Sequence, residues 1–205
     1  MVFAPGGHFS LRGVAIYPGA VPPDRQVEIL SDIRSVAQTA PLFHPETRRG
    51  RKMSVRMTSA GQVGWVSDRR GYRYEAQHPS GSDWPAIPES LLSLWGLYSG
   101  SDRPPDTCLI NYYGEGARMG LHQDRDEADI DQPVLSLSLG DAALFRVGNV
   151  EKGGSTESVW LTSGDVAVLA GDARLVHHGI DRIRFGSSTL LPQGGRINVT
   201  MRVAT

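Results

Sequence analysis

The sequence predicts an α+β, mainly β protein in which two N-terminal helices precede a β-sandwich or barrel. Three observations support this prediction. The 205 residues fit one domain with a sizeable core. Two segments before residue 100 repeat apolar residues at helical spacing. From residue 106 onward, short β-branched runs are separated by Gly, Asp and Pro.

Each predicted helix begins with proline, which suits a first helical turn, and carries one apolar stripe. The first helix lies within "VPPDRQVEILSDIRSVAQTA", and its expected buried face consists of Val27, Leu30, Ile33, Arg34 and Ala37. The second lies within "IPESLLSLWGLYSG", and its expected buried face consists of Leu91, Leu94, Trp95 and Tyr98. Both stripes are predicted to face the core.

The C-terminal half shows the alternation that a half-buried strand requires. The predicted strands lie in "TCLINYY", "PVLSLSLG", "ALFRVG", "SVWLTSGDVAVLAG", "RLVHHGI" and "RINVTMRV". Strands at such close spacing predict a sandwich or barrel core over about 106–205. The stretch from about 43 to 87 is rich in Gly, Arg and aromatic residues, and we expect it to form a lid within the single domain 1–205.

Composition limits the compartment and the partners. The only cysteine is Cys108, and the N-terminal stretch 1–13 lacks the apolar segment of a signal peptide, so we expect a cytoplasmic protein. No run approaches the roughly 20 apolar residues that would cross a bilayer. We therefore expect no membrane insertion, and we expect a monomer.

The net charge of −1 conceals a strongly basic segment. Between Thr47 and Arg73, eight basic residues stand against one acid, Asp68, which gives a local charge of +7. Such a segment is either a solvated loop, the commoner case, or a surface that meets an anion.

The stretch "LHQDRDE" crowds three acids beside a histidine, which is unfavourable unless a cation binds there. In an extended segment, His122 and Asp124 point to the same side. The later segment "RLVHHGI" offers His177 and His178, either of which a neighbouring strand could bring across. Two histidines and one carboxylate on one face form the facial triad of non-heme Fe(II) oxygenases. An isolated H-x-D pair is more often structural, so this pattern alone is weak.

The last predicted strand strengthens the metal interpretation. In "RINVTMRV" one face carries Arg196, Asn198, Thr200 and Arg202. An ordinary solvent-facing strand would show the same alternation. However, a guanidinium binds a carboxylate bidentately, and oxygenases with this triad use a dicarboxylic cosubstrate. In "LINYYG", Asn111 and Tyr113 form a matching polar stripe.

These motifs, in this order, closely resemble the AlkB family of Fe(II)- and 2-oxoglutarate-dependent dealkylases. The likeness rests on "CLINYYGEGARMGLHQDRDE", "PVLSLSLGDAALFRVG", "GDVAVL", "RLVHHGI" and "RINVTMR". The segments "MSVRMTSAGQVGW" and "RRGYRY" resemble that family's nucleotide-recognition lid. The resemblance implies a double-stranded β-helix (jelly-roll) core, Fe(II), 2-oxoglutarate and O2. It also implies single-stranded or flipped-base alkylated DNA or RNA as the substrate.

The resemblance also implies roles for individual residues. The iron ligands would be His122, Asp124 and His178, with His177 as a neighbour. The distal carboxylate of 2-oxoglutarate would be held by Arg196, Tyr113 and Asn198. Arg202 and Asn111 would lie toward the end that chelates the metal.

On the substrate side, Trp65 would stack on the flipped base, whose other face would rest against His122. Tyr72 and Tyr74 would meet the neighbouring nucleic-acid backbone, and Asp126 would accept a hydrogen bond from the exocyclic amine while Glu127 supports the same wall. Met57 and Arg51 complete the expected lid contacts, although Arg51 stands where the family usually has an aromatic residue. Leu169 likewise stands where a larger aromatic side chain is expected.

The implied activity is oxidative demethylation of N-alkylated bases such as 1-methyladenine and 3-methylcytosine, with release of formaldehyde. These bases are cationic, so the carboxylate of Asp126 would favour them over the normal base. One alternative is an Fe(II)/2-oxoglutarate oxygenase acting on a protein, lipid or small molecule, which would not need Trp65 or Asp126. A nucleic-acid binding module without catalysis is a second alternative.

Overall fold

A computed structural model describes residues 7–205; part of the N-terminal stretch used above to argue against a signal peptide lies outside that range. Within it, helix α1 spans Pro23–Thr39 and helix α2 spans Glu89–Tyr98. The strands of the described residues are β1 (Phe9–Leu11), β2 (Val14–Tyr17), β3 (Arg56–Gly61), β4 (Gly64–Asp68), β5 (Gly71–Glu75), β6 (Thr107–Tyr113), β7 (Met119–His122), β8 (Val134–Gly140), β9 (Ala143–Val147), β10 (Glu157–Leu161), β11 (Val166–Leu169), β12 (His178–Ile183) and β13 (Arg196–Arg202).

The strands form the double-stranded β-helix that the resemblance implied. The larger sheet has the order β1-β2-β11-β8-β13-β6-β3, and the smaller sheet has the order β10-β9-β12-β7. All pairings are antiparallel, so each strand presents alternate side chains to the space between the sheets. One apolar cluster fills that space, and a second cluster packs α1 and α2 on the outer face of the larger sheet. In the part of the chain described, neither helix is long and apolar enough to cross a membrane.

The predicted face of α1 is partly wrong. The structure buries Ile29, Leu30, Ile33 and Val36, whereas Val27 is 60% exposed and Arg34 also faces solvent. At about 100° per residue, Val27 lies roughly a third of a turn from the centre of the buried face. The predicted face of α2 is confirmed, because Leu91, Leu94, Trp95 and Tyr98 are all buried.

The N-terminal half of the chain contributes more to the sheet than the sequence indicated. Strand β2 pairs with β11, and β3 pairs with β6, so both complete the larger sheet. The stretch 43–87 therefore contains an edge strand of the sheet, and only the β4–β5 hairpin forms a separate ribbon. That ribbon lies at the end of the double-stranded β-helix where β7 ends and β12 begins, because its aromatic residues line one cavity with His122 and His178.

Candidate active site

The structure brings His122, Asp124 and His178 together at one end of the double-stranded β-helix. Their potential ligand atoms all lie within 4.8 Å of one another. In the pairing of β7 with β12, His178 lies directly opposite His122. Each imidazole Nε2 is 3.7 Å from a different carboxylate oxygen of Asp124. A neighbouring strand thus supplies the second histidine, as the sequence predicted.

The ring nitrogens that face away from this cluster are already bonded. Nδ1 of His122 lies 3.0 Å from the Gly120 carbonyl, and Nδ1 of His178 lies 3.1 Å from the Val176 carbonyl. Since a carbonyl only accepts, each Nδ1 carries the proton and each Nε2 keeps a lone pair for a metal. Burial lowers the pKa of His178 to about 4, so this ring is neutral at physiological pH.

Arg202 stabilises the carboxylate of the cluster. Its Nη2 donates to Asp124 Oδ2 at 2.9 Å, and both side chains are buried. Burial raises the pKa of Asp124, but Arg202 and the two histidines outweigh it and hold the pKa below its usual range. Two imidazoles and one ionised carboxylate on one face are the ligand set of a non-heme Fe(II) site, so the residues present fit that metal.

Deeper in the same cavity, Arg196 is a buried cation without a counterion among residues 7–205. It is 1% exposed, its Nη2 donates to Ser138 Oγ at 2.9 Å, and its guanidinium lies 5.2 Å from the centre of the Tyr113 ring. Within the described residues, Nε and Nη1 of Arg196 and Oδ1 of Asn111 have no hydrogen-bond partner. Buried charge is costly unless it is paired, so this arrangement fits the carboxylate of a bound cosubstrate. The polar residues of β13 (Arg196, Asn198, Thr200 and Arg202) are all buried, which excludes the alternative that this face of the strand points to solvent.

Asn198 is placed differently from the expectation. Its Nδ2 donates to Ser136 Oγ at 2.7 Å and to the Leu137 carbonyl at 3.1 Å, while its Oδ1 accepts from Thr200. Both amide hydrogens are therefore bonded to β8, and Asn198 has no donor left for a carboxylate. Tyr113 lines the cavity beside Arg196, and burial raises the pKa of its hydroxyl to about 12.

The cavity that contains both groups has a volume of about 440 Å³. Asn111, Tyr113 and Arg202 line it beside the histidine–aspartate cluster, as do Met57 and Leu169. Met57 and Leu169 are almost fully buried, so they form its apolar wall.

Aromatic side chains of the β4–β5 hairpin cover the mouth of the cavity. Trp65 and Tyr72 stack with ring centres 5.4 Å apart and planes 26° apart. Nε1 of Trp65 donates to Asp126 Oδ2 at 3.2 Å. The predicted stacking residue and the predicted base-recognising carboxylate are thus bonded to each other.

Tyr74 is half-buried, and its hydroxyl points inward and not toward the solvent, where a nucleic-acid backbone would lie. Its hydroxyl donates to Glu127 Oε1 at 2.7 Å, and burial raises its pKa above the usual range. Glu127 itself is buried and forms salt bridges with Arg174 and Arg202. The expected backbone contact of Tyr74 is therefore corrected to an internal contact.

The basic segment is partly neutralised. Arg73 binds both Asp68 and Glu75, which lies just beyond the segment. Arg51 is exposed in the turn that follows Thr47 and does not line the cavity.

The exposed basic surface next to the active site includes residues from outside that segment. A wide surface cavity of about 920 Å³ adjoins the active site, and Arg48, Arg125, Lys152 and His177 line it. On the exposed surface, Asp129 forms a salt bridge with Arg103.

Sequence reasoning missed three polar residues of the site. Ser136 and Ser138 point inward from β8 to hold Asn198 and Arg196. Their signal was the alternation in "LSLSLG", where serine occupies the sheet face that also carries the polar stripe of β13. Arg174, which is 3% exposed, opens the segment "RLVHHGI", but only the histidines of that segment were given a role from the sequence.

A double-stranded β-helix with two histidines, an aspartate and a buried arginine in one cavity defines the Fe(II)- and 2-oxoglutarate-dependent dioxygenases. The model of the 2OG-Fe(II) oxygenase superfamily matches residues 13–202. The chain is 51% identical over 193 residues to the alpha-ketoglutarate-dependent dioxygenase AlkB homolog of Caulobacter vibrioides, which covers 94% of this chain and 88% of the relative.

Two more distant relatives also carry AlkB-type names. The human nucleic acid dioxygenase ALKBH1 is 29% identical over 123 residues, covering 59% of this chain and 31% of the relative. The solved structure of OsALKBH1 superposes with a TM-score of 0.81 at 30% identity, covering 96% of this chain and 99% of the other. The chain therefore belongs to the AlkB family of 2-oxoglutarate-dependent dioxygenases.

Proposed function

We propose that this protein oxidatively removes N-linked methyl groups from bases such as 1-methyladenine and 3-methylcytosine in single-stranded or flipped-out DNA or RNA. The main support is one cavity that joins the histidine–aspartate cluster to Arg196, a buried cation with no counterion among residues 7–205, beneath an aromatic hairpin with a basic rim. The nucleic-acid activity named for the human relative supports the same substrate class.

His122, Asp124 and His178 would hold Fe(II), and Arg196 with Tyr113 would hold the far carboxylate of 2-oxoglutarate. Arg202 and Asn111 would lie toward the metal. When bound, Fe(II) and 2-oxoglutarate supply, with O2, the oxidation of a methyl C–H bond, while 2-oxoglutarate becomes succinate and CO2. Hydroxylation of an N-methyl group gives a hemiaminal, which releases formaldehyde and the restored base.

The chain's own residues position the substrate. A base inside a duplex cannot reach the cluster, so it must be unstacked, and stacking on Trp65 offsets part of that cost. His122 lines the same cavity and would lie against the other face of the base. Asp126 would exchange its bond from Trp65 Nε1 for the exocyclic amine, and its negative charge favours a cationic methylated base. The hairpin above would limit the access of water to the reacting base.

The rim would bind the nucleic-acid backbone without reading its sequence. Arg48, Arg125 and Lys152 are exposed around the surface cavity beside the site. Each phosphate contact releases counterions, so affinity should fall steeply as salt rises. Binding to a single-stranded oligonucleotide that is equal at 50 and 200 mM salt would contradict this role.

The direct test uses matched DNA and RNA oligonucleotides that carry 1-methyladenine or 3-methylcytosine. The iron-loaded protein is incubated with 2-oxoglutarate in air, and the mass of each oligonucleotide is followed for the loss of a methyl group. We expect loss with the wild type and none with His122→Ala. Succinate formation without methyl loss would redirect the search to protein, lipid or small-molecule substrates. If no succinate formed either, the remaining interpretation would be a nucleic-acid binding module without catalysis.

Trp65→Ala tests the base contact separately. We expect the loss of demethylation, while the slow 2-oxoglutarate turnover without substrate remains, because Trp65 lies in the hairpin above the cofactor groups. An equal fall in both reactions would contradict the stacking role.

We also propose that the protein works as a cytoplasmic monomer. Its single cysteine is buried and free, which suits a reducing compartment. Light scattering of the purified protein, with a monomer mass expected near 22.2 kDa, tests the oligomeric state.

A further inference from the structure

The segment that carries Asp124 is held by side chains rather than by a sheet. Strand β7 ends at His122, and residues 123–126 have no regular secondary structure. The metal ligand Asp124 therefore lacks the ladder of backbone hydrogen bonds that fixes His178 in β12. Its position must come from other contacts.

Arg174 supplies three of those contacts from the turn before β12. Its Nη1 donates to the Asp124 carbonyl at 2.6 Å, its Nε donates to the Gln132 carbonyl at 2.6 Å, and its Nη2 donates to Glu127 Oε2 at 3.1 Å. One guanidinium thus ties both ends of the loop 124–132. A lysine ammonium could not reproduce this planar three-way geometry.

Glu127 extends the same network to the lid hairpin. Its carboxylate accepts from Arg174 on one oxygen, while the other lies 3.3 Å from Arg202 Nε and accepts the Tyr74 hydroxyl at 2.7 Å. Arg202 in turn donates to Asp124. The two arginines and two carboxylates balance to zero charge, and all four side chains are at most 8% exposed. Each of these side chains is ion-paired with another member of the cluster, although Arg202 Nε makes no hydrogen bond, so the four groups hold one another in place.

We propose that this cluster of Asp124, Glu127, Arg174 and Arg202 couples metal binding to closure of the β4–β5 hairpin, with Arg174 as a positioning residue and Tyr74 as the contact from the hairpin. Glu127 lies only three residues after Asp124. A metal that fixes the segment 124–127 therefore fixes the acceptor of the Tyr74 hydroxyl. Conversely, the Tyr74 bond orders the segment before the metal arrives, which lowers the entropic cost of binding it.

This inference rests on the metal site proposed above and assigns Tyr74 and Glu127 to positioning instead of substrate contact. By linkage, the factor by which the metal lowers the equilibrium constant for hairpin opening must equal the factor by which hairpin closure tightens metal binding. That reciprocity makes the proposal quantitative.

The test measures both sides of the linkage without turnover. The full chain is studied without oxygen, with Mn(II) and 2-oxoglutarate. Amide hydrogen exchange reports opening of residues 64–75, and calorimetry reports the Mn(II) dissociation constant. In the wild type we expect Mn(II) to slow exchange of the hairpin amides at least about fivefold.

Tyr74→Phe removes one hydroxyl and keeps the ring. In this variant we expect the metal to slow hairpin exchange less than about twofold. The dissociation constant for Mn(II) should rise by the same factor by which the effect of the metal on hairpin opening has decreased. Tyr72→Phe is the matched control, because Tyr72 is on the same hairpin but outside the cluster, and it should retain the coupling. Arg174→Lys should weaken Mn(II) binding by about tenfold or more while Arg103→Lys, on an exposed pair, should not.

The outcomes separate this inference from the function on which it rests. Mn(II) binding with no effect on hairpin exchange in the wild type would overturn the coupling and leave the metal site standing. Coupling that survives in Tyr74→Phe would overturn the route through Tyr74. No Mn(II) binding in the wild type would overturn the metal site and the coupling together.

Discussion

Replacing Arg196 with methionine should stabilise the protein in the absence of 2-oxoglutarate and abolish its response to that cosubstrate. The side chain is 1% exposed, and burial lowers its pKa because no carboxylate among residues 7–205 compensates its charge. Methionine of similar length removes this buried charge together with two unpartnered nitrogens. A charge kept without its partner is expected at a binding site, where stability is sacrificed for function.

The magnitude follows from the contacts. The substitution loses the bond to Ser138, worth about 1 kcal/mol, and the contact with the Tyr113 ring, worth about 1 kcal/mol. It removes a desolvation penalty of several kcal/mol for an unpaired ion. We expect a net gain of about 1 to 2 kcal/mol, which corresponds to a rise in Tm of roughly 2 to 8 °C for a domain of this size.

The assay is thermal unfolding with and without 2-oxoglutarate in the presence of Mn(II). At a concentration of 100 times Kd, 2-oxoglutarate should stabilise the wild type by about 2.7 kcal/mol, or roughly 5 to 11 °C, and should leave Arg196→Met unchanged. Arg146→Met is the control, because this half-exposed arginine pairs with Asp181 on the surface and should keep the full shift. A variant that melts below the wild type without cosubstrate, or that still responds to it, would refute the reasoning.

Three further predictions concern other parts of the fold. Gly179→Ala would place a Cβ 2.6 Å from the Met119 carbonyl oxygen and would push β12 away from β7. Because these strands carry His178 and His122, the affinity for Mn(II) measured by calorimetry should fall at least about tenfold. Gly96→Ala, on the open face of α2, is the control and should leave that affinity unchanged. Cys108 is fully buried, and burial raises its pKa to about 12, so at pH 8 a thiol reagent should label it only at the rate of unfolding; fast labelling of the native protein would contradict this burial. Arg73 holds the pKa of Asp68 below its ordinary value near 4, so the stability that this pair gives the β4–β5 hairpin is complete above pH 4 and is lost as the pH falls further. The protection of amides 64–75 against hydrogen exchange, relative to the intrinsic rate at each pH, should therefore fall below pH 4, and Asp68→Asn should remove that pH dependence.

Alternation of residue types predicted much of the fold. The strands in "TCLINYY" and "RINVTMRV" lie where the period of two placed them, because burial of one face fixes the register of a strand. The same rule failed for short or irregular pieces. Strands β1 and β2 have three and four residues, which is too few for a period to be recognised, yet they extend the larger sheet.

The amphipathic helix α1 shows how a local pattern can mislead. Its position was predicted, but Val27 was placed on the wrong face, because an apolar residue exposed on a helix leaves no mark in the sequence. The +7 segment shows the same limit for charge. Glu75 lies just beyond it and binds Arg73, so the count of charges did not describe the surface.

The sequence by itself determined the chemistry of the site. The spacing of His122 and Asp124, a histidine pair on a later strand and the arginines of the last strand indicated an iron and dicarboxylate site, since each feature follows from the alternation of side chains along a strand. The residues alone did not distinguish His177 from His178. Only the register of β12 against β7 placed His178 opposite His122, while His177 turned outward to the Asn149 carbonyl.

Only the tertiary structure revealed the partners of these groups. Arg174 is 50 residues from Asp124 in the sequence, and Tyr74 is 53 residues from Glu127, yet each pair is hydrogen bonded. A sequence pattern records which side chains share a face, because that depends on local backbone geometry. It does not record which buried groups satisfy each other, because that depends on how distant elements are brought together when the two sheets and the hairpin pack.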